Sequence, residues 1–92
     1  MLYLVHTELN IPDSVPVDVG TQMRLSEKEY SQELQRQGRW ASIWRVVGEH
    51  ASYSILDVES HDELHAILSG LPLFPYMKIQ VTALARHPSA IN

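Results

Sequence analysis

The fold of this 92-residue chain is constrained most by a long helical pattern that stops at a glycine. From about Val17 to Gln37, apolar residues recur at spacings of four, seven and four, which is the period of one helix face. These residues are Val19, Met23, Tyr30 and Leu34. Gly38 follows directly and suits the position just past a helix C-terminus. A new element must therefore begin near Arg39.

The segment after Gly38 predicts a β-hairpin. Trp40 to Val47 and Ala51 to Val58 are both rich in β-branched and aromatic residues. Only Gly48, Glu49 and His50 separate the two runs, and a short connection of this kind joins antiparallel neighbours. The long helix is thus followed by two paired strands.

The ends of the chain supply the remaining elements. Leu2 to Leu9 alternates apolar residues on both faces and predicts a strand, and residues 10–16 contain two prolines and predict a loop. Ser60 and Glu63 have the capping-box spacing, which predicts a helix of about nine residues ending at Gly70. Leu71 to Tyr76 predicts an extended apolar connector, and the alternation from Met77 onward predicts a last strand.

The element order β, α, β, β, α, β predicts a ferredoxin-like plait, an α+β fold. In this fold a four-stranded antiparallel sheet carries both helices on one face. We interpret residues 1–92 as a single domain. Because the strands are apolar on both sides, the sheet face without helices is expected to pack against other subunits in a homo-oligomer.

Composition and charge argue against several classes of protein. The hydrophobic share of 45% and the charged share of 20% are those of a globular domain. The net charge is −4 and the basic residues are scattered, which argues against nucleic acid as a partner. No cysteine is available for a disulfide or a thiolate metal site. Nothing approaches the roughly 20 apolar residues of a membrane span, and residues 1–9 resemble a strand more than a signal peptide, so we expect no membrane partner and a cytoplasmic location.

Glu27 and Lys28 are the first candidate site residues. At about 100° per residue, Glu27 lies about 40° from Met23, at the edge of the apolar stripe. A carboxylate there is partly desolvated, so its pKa should rise toward the range that suits a general base. The alternative is a solvated glutamate paired with Arg24 or Ser31. Lys28 points about 100° further round, so a second wall would have to bring both residues to one ligand.

The predicted hairpin holds further candidates. Arg45 lies between Trp44 and Val46, an unusual place for a charge unless it binds an anion such as a substrate carboxylate. A salt bridge to Asp57 or Glu49 is the alternative. Trp40 and Trp44 could wall a pocket, although tryptophans of a small sheet more often belong to the core or to an interface.

The segment from His61 to His65 has the spacing of a zinc metalloprotease helix, but the likeness is shallow. The motif needs glutamate directly after the first histidine, whereas Asp62 stands there and Glu63 comes one position late. No third ligand is evident. We therefore expect no metal site in this segment.

Four segments together resemble the muconolactone Δ-isomerase family of the β-ketoadipate pathway. They are MLYLV at the start, EKEYSQELQRQGRW (Glu27 to Trp40), IWRVVG (Ile43 to Gly48) and Ser54 to Ser89. The last contains LPLFPYM and RHPS, which are specific to the family. The resemblance covers nearly the whole chain.

The resemblance implies a cofactor-independent isomerase that converts (S)-muconolactone to 3-oxoadipate enol-lactone, assembled as a homodecamer with clefts at subunit contacts. On this reading Glu27 is the base, and Lys28 stabilises the dienolate oxygen or helps to carry the proton. Arg45 holds the substrate carboxylate, Ser52 and Ser54 hydrogen-bond the lactone, and Trp40 and Trp44 wall the pocket.

The chain departs from the family pattern after Gly48. The family usually has a basic residue, an aromatic residue, Ala and Asn there, whereas this chain has Glu49, His50, Ala51 and Ser52. Small changes in one pocket can alter substrate preference, so dehalogenation of 5-chloromuconolactone and isomerisation of methylmuconolactone are alternative activities. A non-catalytic, ligand-binding plait is the alternative from another class.

Overall fold

The computed structural model describes residues 1–92 and has the predicted element order. The elements are β1 (Leu2–Leu9), α1 (Val17–Arg36), β2 (Trp40–Arg45), β3 (Ala51–Asp57), α2 (His61–Ser69) and β4 (Met77–Leu84). The strands form one antiparallel sheet in the order β2-β3-β1-β4. This is the ferredoxin-like plait that the sequence predicts. No helix combines the length and the apolar composition that crossing a bilayer requires.

Helix α1 ends one residue earlier than its sequence pattern predicts, with Gln37 as the capping residue. Gly38 takes a positive φ of 79°, which glycine adopts without steric cost. Its N–H donates to the carbonyl of Gln35 at 3.0 Å, and the N–H of Arg39 donates to that of Leu34 at 3.1 Å. This pair of bonds is a Schellman motif, which satisfies two of the free carbonyls at the helix end and turns the chain into β2.

The pleat of the sheet sorts side chains into an inner face, covered by the helices, and an outer face. On β1, the inner residues are Tyr3, Val5 and Thr7, all buried. Their partners on β3 are Leu56, Ser54 and Ser52 in that order. The core between this face and the helices includes Leu34 of α1 and the α2 residues Leu64, Ile67 and Leu68.

Two strand boundaries and one connector also differ from the sequence prediction. Strand β2 ends at Arg45 rather than Val47, because Val46 bonds back to Ala51 and Gly48, at a φ of 81°, turns the chain. Strand β3 ends at Asp57, one residue early. The connector of residues 71–76 is not fully extended, since Phe74–Tyr76 forms a single 3₁₀ turn with a proline near its start.

The capping box of α2 is present in a modified form. Ser60 Oγ accepts the N–H of Glu63 at 3.1 Å, as the sequence predicts. The Glu63 carboxylate reaches back to the N–H of Glu59, at 3.2 Å, rather than to that of Ser60. The bond still anchors the helix start, because it fixes the residue before the N-cap.

Gly70 is required for the contact between the two helices. Tyr30 of α1 donates its hydroxyl to the carbonyl of Ile67 at 2.7 Å. A Cβ at position 70 would lie 2.5 Å from this hydroxyl oxygen and 3.2 Å from the carbonyl oxygen of Ala66. Because Gly70 has no side chain, Tyr30 can pack against α2 at this position and reach the carbonyl of Ile67.

Replacing Gly70 with Ala should lower the free energy of unfolding by about 1–3 kcal/mol, the usual range for overpacking a tight contact. Urea denaturation would measure the change. Gly20→Ala is the matched control, because no atom lies within 4 Å of a Cβ there and alanine favours the helix. Adding Tyr30→Phe to Gly70→Ala removes the closest atom, so the double variant should lose less than the sum of the two single losses. Simple additivity would contradict this packing account.

Candidate active site

A cavity of about 600 Å³ lies between α1 and the inner face of the sheet. The strands supply its floor, α1 one wall, and the connector after α2 its inner end. Its lining residues are Thr7, Leu9, Arg24, Glu27, Lys28, Ser31, Trp40, Ile43, Arg45, His50, Ala51, Ser52, Leu71, Leu73 and Met77. A second depression, of about 470 Å³, lies beside the start of α1 and contains only one titratable residue, Asp18. The larger cavity is therefore the candidate site.

Glu27 is half-buried in the cavity wall. Its Oε1 atom accepts the backbone N–H of Leu73 at 3.1 Å. Burial raises the pKa of the Glu27 carboxyl above its ordinary value, and the bond from Leu73 offsets part of this rise. No cation forms an ion pair with Glu27. The sequence prediction of a partly desolvated carboxylate with a raised pKa is confirmed, and the alternative salt bridge to Arg24 does not form.

Lys28 lines the same cavity although it follows Glu27 on the helix. Its side chain is exposed and forms no ion pair. Trp40, Ile43 and Arg45 of β2 line the cavity too, so the β2 strand provides the second wall that the divergence of Glu27 and Lys28 requires. One ligand between α1 and β2 could contact both side chains.

Arg45 lies at the cavity mouth, at the end of β2 and opposite Ser52 of β3. It forms no ion pair with Asp57 or Glu49, the two partners considered from sequence. Asp57 instead pairs with the N-terminal amine at 3.3 Å. The Arg45 guanidinium is therefore available to an anion.

The two candidate serines of β3 differ in position. Ser52 lines the cavity, and its hydroxyl shares a hydrogen bond of 2.7 Å with that of Thr7. Ser54 also faces inward, but it is only 1% exposed, its hydroxyl has no hydrogen-bond partner, and it is not a lining residue. The predicted lactone contact thus fits Ser52 and does not fit Ser54.

The two tryptophans of β2 lie on opposite faces of the sheet. Trp40 is 5% exposed and lines the cavity, whereas Trp44 is 68% exposed and lies outside it. A β-bulge causes this difference: the pairing of β2 with β3 shifts between Trp40 and Ser42, so one extra residue changes the face. Trp44 is opposite Tyr53 on the outer face, and its predicted role as a pocket wall is corrected.

Sequence reasoning missed several lining residues. Arg24 is three positions before Glu27 on α1, so helical spacing could have found it. Thr7 is an inward residue of β1, and its polarity among Tyr3 and Val5 was an available signal. No sequence pattern could have indicated the bond from Leu73, because the donor is a backbone group.

No group of three or more His, Cys, Asp or Glu residues is arranged to hold a metal ion. His61 Nδ1 hydrogen-bonds the Tyr3 hydroxyl, which occupies one of its two ring nitrogens. His65 is exposed on α2.

The charges around the cavity favour a small anion. The side chains of Arg24, Lys28 and Arg45 are cationic, and Glu27 is the only carboxylate among the lining residues. Leu9, Ile43, Leu73 and Met77 add apolar walls. A half-buried carboxylate with a raised pKa can take up and release a proton during a reaction, while the cations and hydroxyls can bind an anionic substrate and its oxygen atoms.

Comparison with known proteins gives concordant matches over the chain. The family model described as muconolactone delta-isomerase matches residues 1–90. The "Muconolactone Delta-isomerase 1" of Acinetobacter lwoffii is 60% identical over all of this chain and 96% of the relative. The muconolactone Delta-isomerase of Cupriavidus pinatubonensis is 58% identical, with both chains fully covered.

Two solved structures share the fold. The crystal structure of a muconolactone isomerase superposes with a TM-score of 0.95 at 46% identity, covering all of this chain and 96% of that one. A 5-chloro-2-hydroxyhydroquinone dehydrochlorinase from Burkholderia phenoliruptrix superposes with a TM-score of 0.72 at 18% identity, covering 95% and 96% of the two chains. The second likeness concerns the fold alone.

Proposed function

The chain belongs to the muconolactone delta-isomerase family, and from this premise we propose that it isomerises (S)-muconolactone to 3-oxoadipate enol-lactone in bacterial catechol degradation. The reaction moves a C=C bond by transferring a proton within the lactone ring. One observation supports this function above the others. Glu27, a half-buried carboxylate with a raised pKa, lines a cavity whose other charged groups are cations.

The proposed reaction needs a single base. The proton on the ring carbon that bears the carboxymethyl arm is acidic through conjugation with the lactone carbonyl. Glu27 removes this proton, and the electron pair shifts through the ring to give a dienolate whose charge lies largely on the carbonyl oxygen. Glu27 then returns the proton to the carbon next to the carbonyl. No redox cofactor is needed to balance this step.

The other lining residues have complementary roles in this proposal. Arg45 binds the carboxylate of the substrate arm, because its free guanidinium can form two parallel hydrogen bonds with a carboxylate. Lys28 stabilises the dienolate oxygen, and Ser52 donates a hydrogen bond to the lactone. Trp40 supplies an apolar wall that limits the position of the ring.

We also propose that the protein is a cytoplasmic homo-oligomer, with a decamer as the expected assembly. The support for assembly is the outer face of the sheet, which no helix covers. Large apolar side chains are exposed there on all four strands: Leu2, Trp44, Tyr53 and Leu84. A monomer rarely exposes a contiguous patch of this kind.

Turnover of (S)-muconolactone by the purified protein, with and without a chelator, tests the proposed function. Enol-lactone formation that persists with the chelator supports it. Chloride release from 5-chloromuconolactone at a higher kcat/KM would favour the dehalogenase alternative, and faster reaction of a methylmuconolactone would favour the methylated substrates. Tight binding of the lactones without turnover would identify a ligand-binding regulator instead.

The pH dependence of the reaction should follow the ionisation of Glu27. Only the carboxylate form can accept the proton, so kcat/KM should rise with pH through the pKa of Glu27 in the free enzyme. Because burial raises this pKa, the rise should be centred above the ordinary value of 4.5. A profile of kcat/KM against pH measures it, and a midpoint at or below 4.5 would contradict the assignment.

A further inference from the structure

A polar row crosses the floor of the cavity from one strand to the next. Arg45 of β2 is opposite Ser52 of β3, Ser52 is opposite Thr7 of β1, and Thr7 is opposite Ile79 of β4. Side chains directly opposite one another on one face of a sheet are close neighbours. The row therefore runs from a guanidinium through two hydroxyls to an apolar residue.

Thr7 is the unusual member of this row. It is 9% exposed and follows Tyr3 and Val5 on the inner face of β1, both of which belong to the hydrophobic core. Burying a hydroxyl is unfavourable unless it is hydrogen-bonded, and valine would fill the same space without that cost. Thr7 has one side-chain partner, the hydroxyl of Ser52, at 2.7 Å.

The protons of this hydroxyl pair can be counted. Two hydroxyls carry two protons, and the shared bond uses one of them. Neither hydroxyl has another hydrogen-bond partner in the protein. One O–H therefore remains free to donate to a ligand. Ser52 is the more exposed of the two residues, so its O–H is the one that a ligand can reach.

We propose that Thr7 is a positioning residue that donates its hydroxyl proton to Ser52 Oγ and so directs the Ser52 O–H toward the carbonyl oxygen of the lactone. This inference rests on the proposed function. Accepting a bond from Thr7 polarises the Ser52 hydroxyl and makes it a stronger donor. The carbonyl oxygen gains negative charge when Glu27 removes the ring proton, so the Ser52 bond strengthens in the transition state.

This assignment predicts a specific effect of Thr7→Val. The substitution keeps the shape of the side chain and removes its donor, so kcat should fall about 3- to 10-fold, while the weaker hydrogen bond to the bound lactone should raise KM by a smaller factor, about two- to threefold. Thr7→Ser retains the hydroxyl and should restore most of the rate. In a Ser52→Ala background, Thr7→Val should have no further effect, because the hydroxyl that it directs is absent.

The matched control is Thr21→Val. Thr21 is exposed on α1 and does not line the cavity. This variant should keep the kcat of the wild type. The assignment is overturned if Thr7→Val retains the full kcat, or if it lowers kcat by the same factor with and without Ser52. Equal loss in both backgrounds would identify Thr7 as a packing residue.

A binding measurement separates failure of this inference from failure of the proposed function. The probe is the saturated lactone that carries the carboxymethyl arm but lacks the ring double bond, titrated by calorimetry. If the wild type turns over no muconolactone, the proposed function fails. The hydroxyl pair would still be supported if Thr7→Val and Ser52→Ala each bind the probe more weakly than the wild type and the double variant binds it no more weakly than Ser52→Ala. If the wild type is inactive and binds the probe with the same affinity as Thr7→Val, or does not bind it, both the proposed function and the role of Thr7 are overturned.

Discussion

Replacing Glu27 with Gln should lower the turnover of muconolactone by about 10²- to 10⁴-fold, the range that a positioned general base contributes. Gln has nearly the same shape and cannot accept the proton. Its amide oxygen can still accept the N–H of Leu73, so the local structure should persist. Initial rates and calorimetric binding of the saturated lactone would show loss of turnover with retained binding.

The same substitution should not destabilise the protein at neutral pH. The raised pKa means that the folded state favours the protonated form of Glu27. The contribution of Glu27 to the free energy of unfolding therefore declines as pH rises from about 4.5 through the raised pKa. Glu27→Gln lacks this decline. Urea denaturation at acidic and neutral pH should show the variant gaining stability relative to the wild type as pH rises.

Glu29→Gln is the matched control for this experiment. Glu29 is exposed on α1 and does not line the cavity, so its replacement removes the same charge without touching the site. It should leave turnover within about twofold of the wild type, as expected for a surface substitution. Near wild-type turnover by Glu27→Gln would eliminate Glu27 as the base.

Replacing Arg45 with Gln should lower kcat/KM by about 10- to 100-fold, mainly through KM. A hydrogen bond to a charged group contributes about 1.5–3 kcal/mol, which corresponds to this range. Arg45→Lys should recover only part of the loss, because an ammonium cannot form the bidentate pair. Steady-state kinetics with muconolactone would measure both effects.

The methyl ester of the substrate arm provides a second readout for Arg45. The ester lacks the carboxylate, so wild type and Arg45→Gln should process it with similar kcat/KM. Arg36→Gln serves as the control variant, since Arg36 is exposed and pairs with Glu33 away from the cavity. If the ratio of the wild-type kcat/KM to that of Arg45→Gln is the same for the acid and for the ester, the proposed contact between Arg45 and the substrate carboxylate is contradicted.

The spacing of apolar residues was enough to predict the fold, because each helix or strand shows its characteristic repeat within its own segment of the sequence. The 3.6-residue stripe of α1 and the alternation of β1 appear in the structure with end errors of one residue at most. The Schellman motif at Gly38 likewise needs only a glycine in the right place. The connector of residues 71–76 was predicted less well, since prolines suit both an extended segment and a 3₁₀ turn.

The site was harder to predict, because single residues and long-range contacts decide it. Trp40 and Trp44 are four residues apart, so a regular strand would place them on the same face. The β-bulge after Trp40 places the two side chains on opposite faces instead, and no local sequence pattern indicates the bulge. The burial of Glu27 could be predicted from its angle on the helix, whereas the accessibility of Ser52 over Ser54 depends on how far the cavity extends along β3.

The bond from the Leu73 amide to Glu27 has a consequence for how this site tolerates mutation. The donor belongs to the main chain, so any residue except proline at position 73 can supply it. Alanine scanning would therefore never detect the anchor of the base, although it would detect the packing of the Leu73 side chain. Replacing the amide by an ester through chemical synthesis would remove the donor alone. The hydrogen bond that orients the Glu27 carboxylate therefore cannot be identified by substituting side chains.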